Sequence, residues 1–141
     1  MNFIIRSYRE SDKDDVIQLW KECELVVPWN DPQSDIERKQ TVQSELFLIG
    51  LMDEEIVATA MAGYDGHRGW VYYLAVKPKY QQQGIGEKMM NKAEHALLKL
   101  GCPKLNIMVR TTNSDVINFY KAVGYKIDGV TTMSKRLIPD E

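Results

Sequence analysis

The sequence predicts one α+β domain built on a mixed, mostly antiparallel sheet of six to seven strands, with about four helices on its two faces. Three observations predict this fold. Two β-rich runs, residues 46–52 and 56–64, are joined by an acidic turn in the manner of a hairpin. A later stretch, residues 84–100, changes to helical periodicity. The 141 residues contain no linker, repeat or low-complexity tract, so the domain is expected to span residues 1–141.

A strand and two helices are predicted before the hairpin. A short β-rich run at the N-terminus is followed by Ser11 and Asp14, whose spacing is the capping-box pattern that opens a helix. Ser34 and Glu37 repeat this pattern and predict a second, shorter helix. The turn-rich residues 27–32 separate the two helices.

Five elements are predicted after the hairpin. Residues 70–76 form a third β-rich run that ends at Pro78, because proline cannot donate to a strand ladder. The helix over residues 84–100 carries its apolar side chains on one face, and Gly101 stands at the C′ position that ends many helices. The order is completed by a strand over residues 105–109, a helix that Asn113 can cap and that carries apolar residues at 116, 119, 120 and 123, and a last strand over residues 130–137.

The composition indicates a globular, metal-free protein of the cytoplasm. Apolar residues make up 44% and charged residues 27%, and no apolar stretch approaches the roughly 18 residues of a membrane span. Cys23 and Cys102 form no metal-ligand spacing with His67 and His95. The opening residues 1–5 are too short for the core of a signal peptide.

The charges are distributed unevenly along the chain. Residues 10–55 hold thirteen acids against four bases, whereas residues 79–104 hold five bases against two acids. The net charge of −2 argues against wholesale binding to nucleic acid or to an anionic membrane. An anion would prefer the second stretch and a cation the first, although two solvated faces would give the same counts.

Gly84 and Gly86 lie between a strand and the long helix. Helix N-termini leave N–H groups unpaired and carry a partial positive charge, so they bind phosphates, and glycine lets the backbone approach an anion. The pattern indicates an anion site, or else a tight strand-to-helix junction. A dinucleotide fingerprint is excluded because Met89 stands where a third glycine is needed. A Walker loop is excluded because Glu87 follows Gly86 where lysine is needed.

Two motifs resemble those of the Gcn5-related N-acetyltransferase family. Residues 81–86, Gln-Gln-Gln-Gly-Ile-Gly, match its acyl-CoA signature, and Leu74-Ala75-Val76 and Pro78 precede it. The second motif is Asn113, Phe119-Tyr120 and Gly124-Tyr125, so the likeness covers residues 74–125. Gln82 departs from the pattern, because many members carry glycine there. A narrower resemblance, to the small bacterial YpeA-like subgroup, rests on residues 28–32, 63–69 and 101–104.

The resemblance implies the acyl-CoA N-acyltransferase fold and direct transfer of an acetyl group from acetyl-CoA to a primary amine of a small molecule, peptide or protein. It implies that Tyr120 protonates the departing thiolate as a general acid, unless it is only a core tyrosine. Leu74 and Val76 would offer backbone groups to the pantetheine arm, and Asn113 would contact it or serve only as a helix cap. The pyrophosphate would be held by the amides of Gln81, Gln82, Gln83, Gly84, Ile85 and Gly86.

The acceptor site is expected at the first two helices and their connection. An aromatic and acidic pocket suited to a cation is predicted there from Trp29, Asn30, Asp31, Tyr64 and Asp65. The general base is not identified, because Trp70 stands at about the position where some relatives carry glutamate. Nearby alternatives are Glu24, Asp31, Asp65, His67 and a water relay.

Two other functions stay open. The same signature fits a catalytically silent acetyl-CoA-binding sensor or interaction module. A toxin of the same fold that acetylates aminoacyl-tRNA would need a basic surface, which the acidic first half disfavours. The sequence leaves open the identity of the acceptor, the use of longer acyl groups and the formation of a homodimer.

Overall fold

The computed structural model describes residues 2–140 and shows an α+β fold with a five-stranded sheet. The strands lie in chain order, antiparallel from the first to the fourth, and the fifth is parallel to the fourth. Within residues 2–140, none of the helices combines the length and apolar character that crossing a bilayer requires. The strands are β1 (Phe3–Ser7), β2 (Phe47–Met52), β3 (Glu55–Tyr64), β4 (Gly69–Val76) and β5 (Leu105–Asn106), and the α-helices are α1 (Lys13–Glu22), α2 (Pro32–Lys39), α3 (Ile85–Lys99) and α4 (Ser114–Ala122).

The sheet has fewer strands than the sequence predicted. The expected six to seven strands are wrong for residues 2–140, which form five strands and four α-helices. The strand predicted over residues 130–137 is absent, and its side chains are exposed, with Met133 at 90% and Leu137 at 85%. β-Propensity describes how a residue fits a pleated, half-buried surface. Because β5 is only two residues long, residues 130–137 have no adequate strand to pair with. They therefore form no strand despite their β-propensity.

A hydrophobic cluster lies on each face of the sheet, as the prediction of helices on both faces requires. Side chains of a strand point alternately to opposite faces, and β2 shows this directly. Phe47 and Ile49 pack in the cluster that contains Trp20 of α1. Leu48 packs in the other cluster, which contains Met89 of α3. Helices α1 and α2 thus cover one face of the sheet, and α3 covers the other.

Helix α2 begins three residues earlier than the Ser34 pattern predicted. Its N-cap is Asp31, whose carboxylate accepts hydrogen bonds from the Ser34 N–H at 3.3 Å and from the Ser34 hydroxyl at 2.6 Å. Pro32 occupies the first helical position, where a missing N–H costs nothing. Ser34 therefore supports the cap and does not itself form it.

A bulge in β4 shapes the central part of the sheet. Thr59 and Met61 of β3 pair with residues of β4 that lie three positions apart, so β4 holds one residue more than β3. Within the bulge Tyr73 has a φ of 52°, in the left-handed region that is rare for a bulky residue.

The other edge of β4 pairs only briefly with β5. Gly69 and Trp70, the first two residues of β4, pair in parallel with the two residues of β5. Beyond Trp70 the two strands separate, and the rest of β4 faces a gap. This gap is where the candidate site lies.

Candidate active site

A cleft of about 730 Å³ opens where β4 and β5 separate. Residues 71–74 of β4 and residues 107–110, which follow β5, line it together with parts of the α1–α2 connection, α2 and α4. Main-chain groups, aromatic rings and charged side chains therefore meet in one space.

Tyr120 projects from α4 into this cleft. Its side chain is buried and packs edge-to-face on Phe119 at 5.1 Å and on Tyr125 at 5.6 Å between ring centroids. Burial raises the pKa of the Tyr120 hydroxyl to about 12. The hydroxyl is therefore protonated at neutral pH and can act as a proton donor.

The main chain of Leu74 and Val76 faces the gap left by β5. Val76 pairs with Ala58, and the Lys77 N–H donates to the Val57 carbonyl at 2.7 Å beside that pair. In an antiparallel ladder this pattern turns the N–H and C=O of Val76 away from β3, and the alternation along the strand does the same for Leu74.

Two side chains already bond the Val76 carbonyl. It accepts from Gln81 Nε2 at 2.8 Å and from Cys23 Sγ at 3.3 Å. The signature glutamine therefore ties the start of the loop to the end of β4. The Val76 N–H points to the same side of the strand as this carbonyl.

The loop before α3 combines an exposed main chain with two residues of positive φ. Residues 81–84 are exposed, and Gln82 and Gly84 have φ angles of 61° and 82°. Gln82 thus adopts the conformation for which glycine is favoured at this position, at a cost of about 1 kcal/mol. Ile85, which follows, is 3% exposed and fixes the first turn of α3 in the core.

The two glycines of the loop have different roles. A Cβ at Gly84 would meet nothing within 4 Å. Glycine is favoured at this position because the φ angle is left-handed and because the main chain stays open to approach. A Cβ at Gly86 would lie 3.0 Å from Phe119 Cζ and 3.2 Å from Phe119 Cε1. Gly86 therefore allows α4 to pack closely against the start of α3.

Asn113 lines the cleft. It is also the N-cap of α4, as the sequence predicted. Its Oδ1 accepts a hydrogen bond from the Val116 N–H at 3.3 Å. The cap uses the carbonyl oxygen of the side chain, which leaves the amide NH₂ as a donor at the cleft.

Of the five residues predicted for the acceptor pocket, Asn30 lies among those that line the cleft. The Asn30 Oδ1 and the Trp29 carbonyl each accept from Arg136 Nη2 at 2.6 Å. The Trp29 ring is 45% exposed and lies 5.4 Å from the Arg110 guanidinium carbon. The Asp31 carboxylate is engaged in capping α2.

Tyr64 and Asp65 lie at the end of β3 and are not among the cleft-lining residues of the described part of the chain. The Asp65 carboxylate accepts hydrogen bonds from the main-chain N–H groups of Arg68 at 2.7 Å and His67 at 2.8 Å. These bonds lower the pKa of Asp65. The Tyr64 hydroxyl donates to the Gly66 carbonyl at 3.3 Å. Both residues thus stabilise their own turn.

Five charged residues of the described chain line the cleft, and the sequence analysis named one of them, Glu24, as a candidate base. Glu24 has a φ of 59° in the turn that ends α1. The other three side chains suggested as bases lie outside the lining among residues 2–140. The missed residues are Asp35, Arg38, Lys39 and Arg110. Asp35 and Lys39 are four residues apart on α2 and therefore share a face, which is the signal that could have found them.

A hydrogen-bond network holds the bulge of β4 against α1 and α2. Trp20 Nε1 donates to Thr59 Oγ1 at 2.9 Å, and the Thr59 hydroxyl donates to the Tyr73 carbonyl at 2.7 Å. The Trp20 and Tyr73 rings stack at 3.8 Å, and the Tyr73 hydroxyl donates to Asp35 Oδ2 at 2.6 Å. Burial and the Asp35 carboxylate raise the pKa of Tyr73. The network fixes the stretch of β4 that leads into Leu74.

Comparison with known protein families gives one match over most of the chain. The sequence profile of the acetyltransferase (GNAT) family matches residues 13–125. This range includes β4, the loop before α3, Asn113 and Tyr120.

Several solved structures share the fold. Ard1 from Thermoplasma volcanium has a TM-score of 0.78 and 19% identity, covering 91% of this chain and 85% of that chain. The ribosomal-protein-S18-alanine N-acetyltransferase from Escherichia coli has a TM-score of 0.73 and 22% identity, covering 87% and 77%. AAC(6')-Iy in complex with the bisubstrate analogue CoA-S-monomethyl-acetylneamine has a TM-score of 0.74 and 13% identity, covering 96% and 99%.

Proposed function

Because this chain belongs to the acetyltransferase (GNAT) family and is an N-acetyltransferase, we propose that it moves the acetyl group of acetyl-CoA by direct attack onto a primary amine held in the cleft beside β4. The amine belongs to a small molecule, or is an amino group of a peptide or protein. The observation that carries the proposal is that Tyr120, Glu24 and Leu74 line the same cleft. We also propose, from the sequence features given above, that the chain is YpeA-like and works in the cytoplasm.

The residues on the donor side fit acetyl-CoA. The first N–H groups of α3 have no partner within the helix, and the open space at Gly84 lets a pyrophosphate approach them. The main chain of Leu74 and Val76 faces the gap left by β5, so the pantetheine arm can bond there as an added strand would. The Asn113 amide adds a donor on the α4 side. When bound, acetyl-CoA supplies an acyl carbon activated as a thioester.

We assign to Glu24 the removal of a proton from the acceptor amine. An alkylamine has a reference pKa near 10.4, so at neutral pH it arrives as an ammonium that cannot attack. Glu24 is among the residues that line the cleft, whereas the Asp31 and Asp65 carboxylates are bonded to their own main chain. Glu24 takes the proton directly or through a water.

We assign to Tyr120 the donation of a proton to the leaving thiolate of CoA. As the new N–C bond forms and the C–S bond breaks, the departing thiolate needs a proton, and the Tyr120 hydroxyl can give it. The nitrogen loses its second proton to water, and Tyr120 regains its own from water. With a pKa of about 12 this hydroxyl stays protonated across the pH range in which the amine becomes neutral. Proton uptake and proton donation therefore use two different residues of one cleft.

A direct test follows CoA release from acetyl-CoA over a panel of small amines and peptides. The wild type is compared with Tyr120→Phe, and acetyl-CoA binding is measured by calorimetry for both. We expect kcat of Tyr120→Phe to fall about 100- to 10,000-fold, since only the general acid is lost. The acetyl-CoA Kd should stay within about twofold, because Phe keeps the ring packing on Phe119 and Tyr125.

Two outcomes would contradict this function. Tight acetyl-CoA binding by the wild type with no turnover of any acceptor would favour a silent sensor. An unchanged kcat for Tyr120→Phe would remove the assigned acid.

A further inference from the structure

We propose that the acceptor carries a carboxylate beside its reacting amine, and that Lys39 and Arg110 bind this carboxylate. The inference rests on the proposed function. It begins with Lys39, the last residue of α2, which lines the cleft although it is only 9% exposed. Its ammonium donates to the Ala62 carbonyl at 2.5 Å and forms no salt bridge with any carboxylate of residues 2–140.

A lysine in this position is incompletely satisfied. An ammonium has three donors, and the Ala62 carbonyl takes one of them. Burying a charge without a salt-bridge partner is costly, and burial lowers the pKa of Lys39, which the Glu45 carboxylate opposes only in part. An anion that enters the cleft would supply the missing partner and regain this cost.

The remaining charges of the cleft indicate which anion fits. Arg38 is paired with Asp140 at 2.7 Å and with Asp35 at 3.2 Å, and Arg136 lies 3.7 Å from Asp140, so two cations offset two carboxylates. Arg110 lies over Trp29 and forms no salt bridge with residues 2–140.

Among the lining residues of the described chain, two cations, Lys39 and Arg110, and one carboxylate, Glu24, form no salt bridge. The reacting form of an amino acid, with a neutral amine and a carboxylate, carries one negative charge and balances this excess. A phosphate monoester, with a charge of about −1.5 to −2, exceeds it.

The position of Lys39 separates this anion from the phosphates of acetyl-CoA. Lys39 bonds Ala62, which pairs with Val71 of β4. Val76, whose carbonyl is bonded by Gln81 of the loop before α3, lies five positions after Val71, which is about 17 Å along a strand. The anion bound by Lys39 therefore belongs to the acceptor.

The test compares acceptors with and without the carboxylate, with kcat/KM in each pair referred to the concentration of the neutral amine. One arm uses free amino acids against their amides, and a second uses short peptides with Asp against Asn at the second position. We expect the acid of at least one arm to be preferred about tenfold or more in kcat/KM, the range of a hydrogen bond to a charged group. The arm that shows the preference tells a free amino acid from a peptide terminus.

Three variants locate the preference. Lys39→Met keeps the length of the side chain. It should reduce the preference for the acid in kcat/KM to about threefold or less without changing the KM for acetyl-CoA. Arg110→Gln, at an exposed side chain, should reduce it without endangering the fold. Lys92→Met, on the exposed side of α3, is the control that should keep the full preference. Circular dichroism and thermal unfolding show that each variant is folded.

The outcomes separate the two proposals. Turnover with equal rates for acids and amides overturns this inference alone, as does a preference that survives both Lys39→Met and Arg110→Gln. Absence of turnover on every acceptor overturns the proposed function and this inference with it.

Discussion

The donor and acceptor sides of the cleft are built in different ways. The donor side consists of β4, the loop that leads from it to α3, and the N-cap of α4, which present main-chain groups and one amide side chain. The acceptor side joins Glu24, Asn30 and Lys39, from α2 and the turns before it, to Arg110, which follows β5. A site made of main-chain groups can be predicted from a short motif whose residues adopt the required φ angles. A side-chain site exists only once the fold has assembled it.

The first prediction concerns the packing that places the donor loop. Gly86→Ala would set a Cβ at 3.0 Å from Phe119 Cζ, where neighbouring atoms must shift. We expect the free energy of unfolding to fall by about 1–3 kcal/mol, as for other overpacked sites. Chemical denaturation of the variant and the wild type measures this change.

Two further variants make the result specific. Gly129→Ala is the matched control, since a Cβ there meets nothing within 4 Å, and its stability should change by less than about 0.5 kcal/mol. Phe119→Leu should recover part of the loss when combined with Gly86→Ala. If both alanine variants were equally stable, the assigned contact between α3 and α4 would be wrong.

A smaller effect is predicted on the acceptor side, at the segment after α4. Arg136 donates to the Trp29 carbonyl and to Asn30 Oδ1, and so holds the α1–α2 connection at the cleft. Arg136→Gln should raise the acceptor KM about threefold, a modest effect because the side chain is partly exposed. The KM for acetyl-CoA should not change, and steady-state kinetics with each substrate varied in turn measures both.

The control for this variant is Lys135→Gln, which removes the same charge from the neighbouring residue. It should leave both KM values unchanged. Equal shifts of the two KM values in Arg136→Gln would mean that the donor and acceptor sides are not independent.

The parts of the fold that were predicted correctly depend on local patterns. An apolar stripe and a glycine before the first turn predict the long helix α3. Asn113 predicts the cap of α4, and its side chain accepts a hydrogen bond from the Val116 N–H. The last strand failed because a strand needs a partner, and the two-residue β5 is a property of the whole fold. The early start of α2 was missed because Asp31 and Pro32 together formed a better cap than Ser34.

The same distinction applies to the site. The motif pointed to Tyr120 and Asn113, and both line the cleft. The predicted aromatic and acidic pocket included Asp31 and Asp65, whose carboxylates accept hydrogen bonds from nearby main-chain N–H groups, a common local use of aspartate. The spacing of Lys39 from Asp35 could have placed both on one face of α2, but the burial of Lys39 and its lack of a salt bridge are visible only in three dimensions.

The division of proton transfer between Glu24 and Tyr120 is the central claim, and the pH dependence of kcat/KM in Glu24→Gln tests it most directly. Glu22→Gln, two residues earlier, is the control with the same change in charge. We expect Glu24→Gln to be about 100-fold slower than the wild type at pH 7. The deficit should shrink as the pH rises toward the amine pKa of about 10.4, because the acceptor then arrives without its proton. A deficit that stays constant with pH, or a profile like that of Glu22→Gln, would contradict the account.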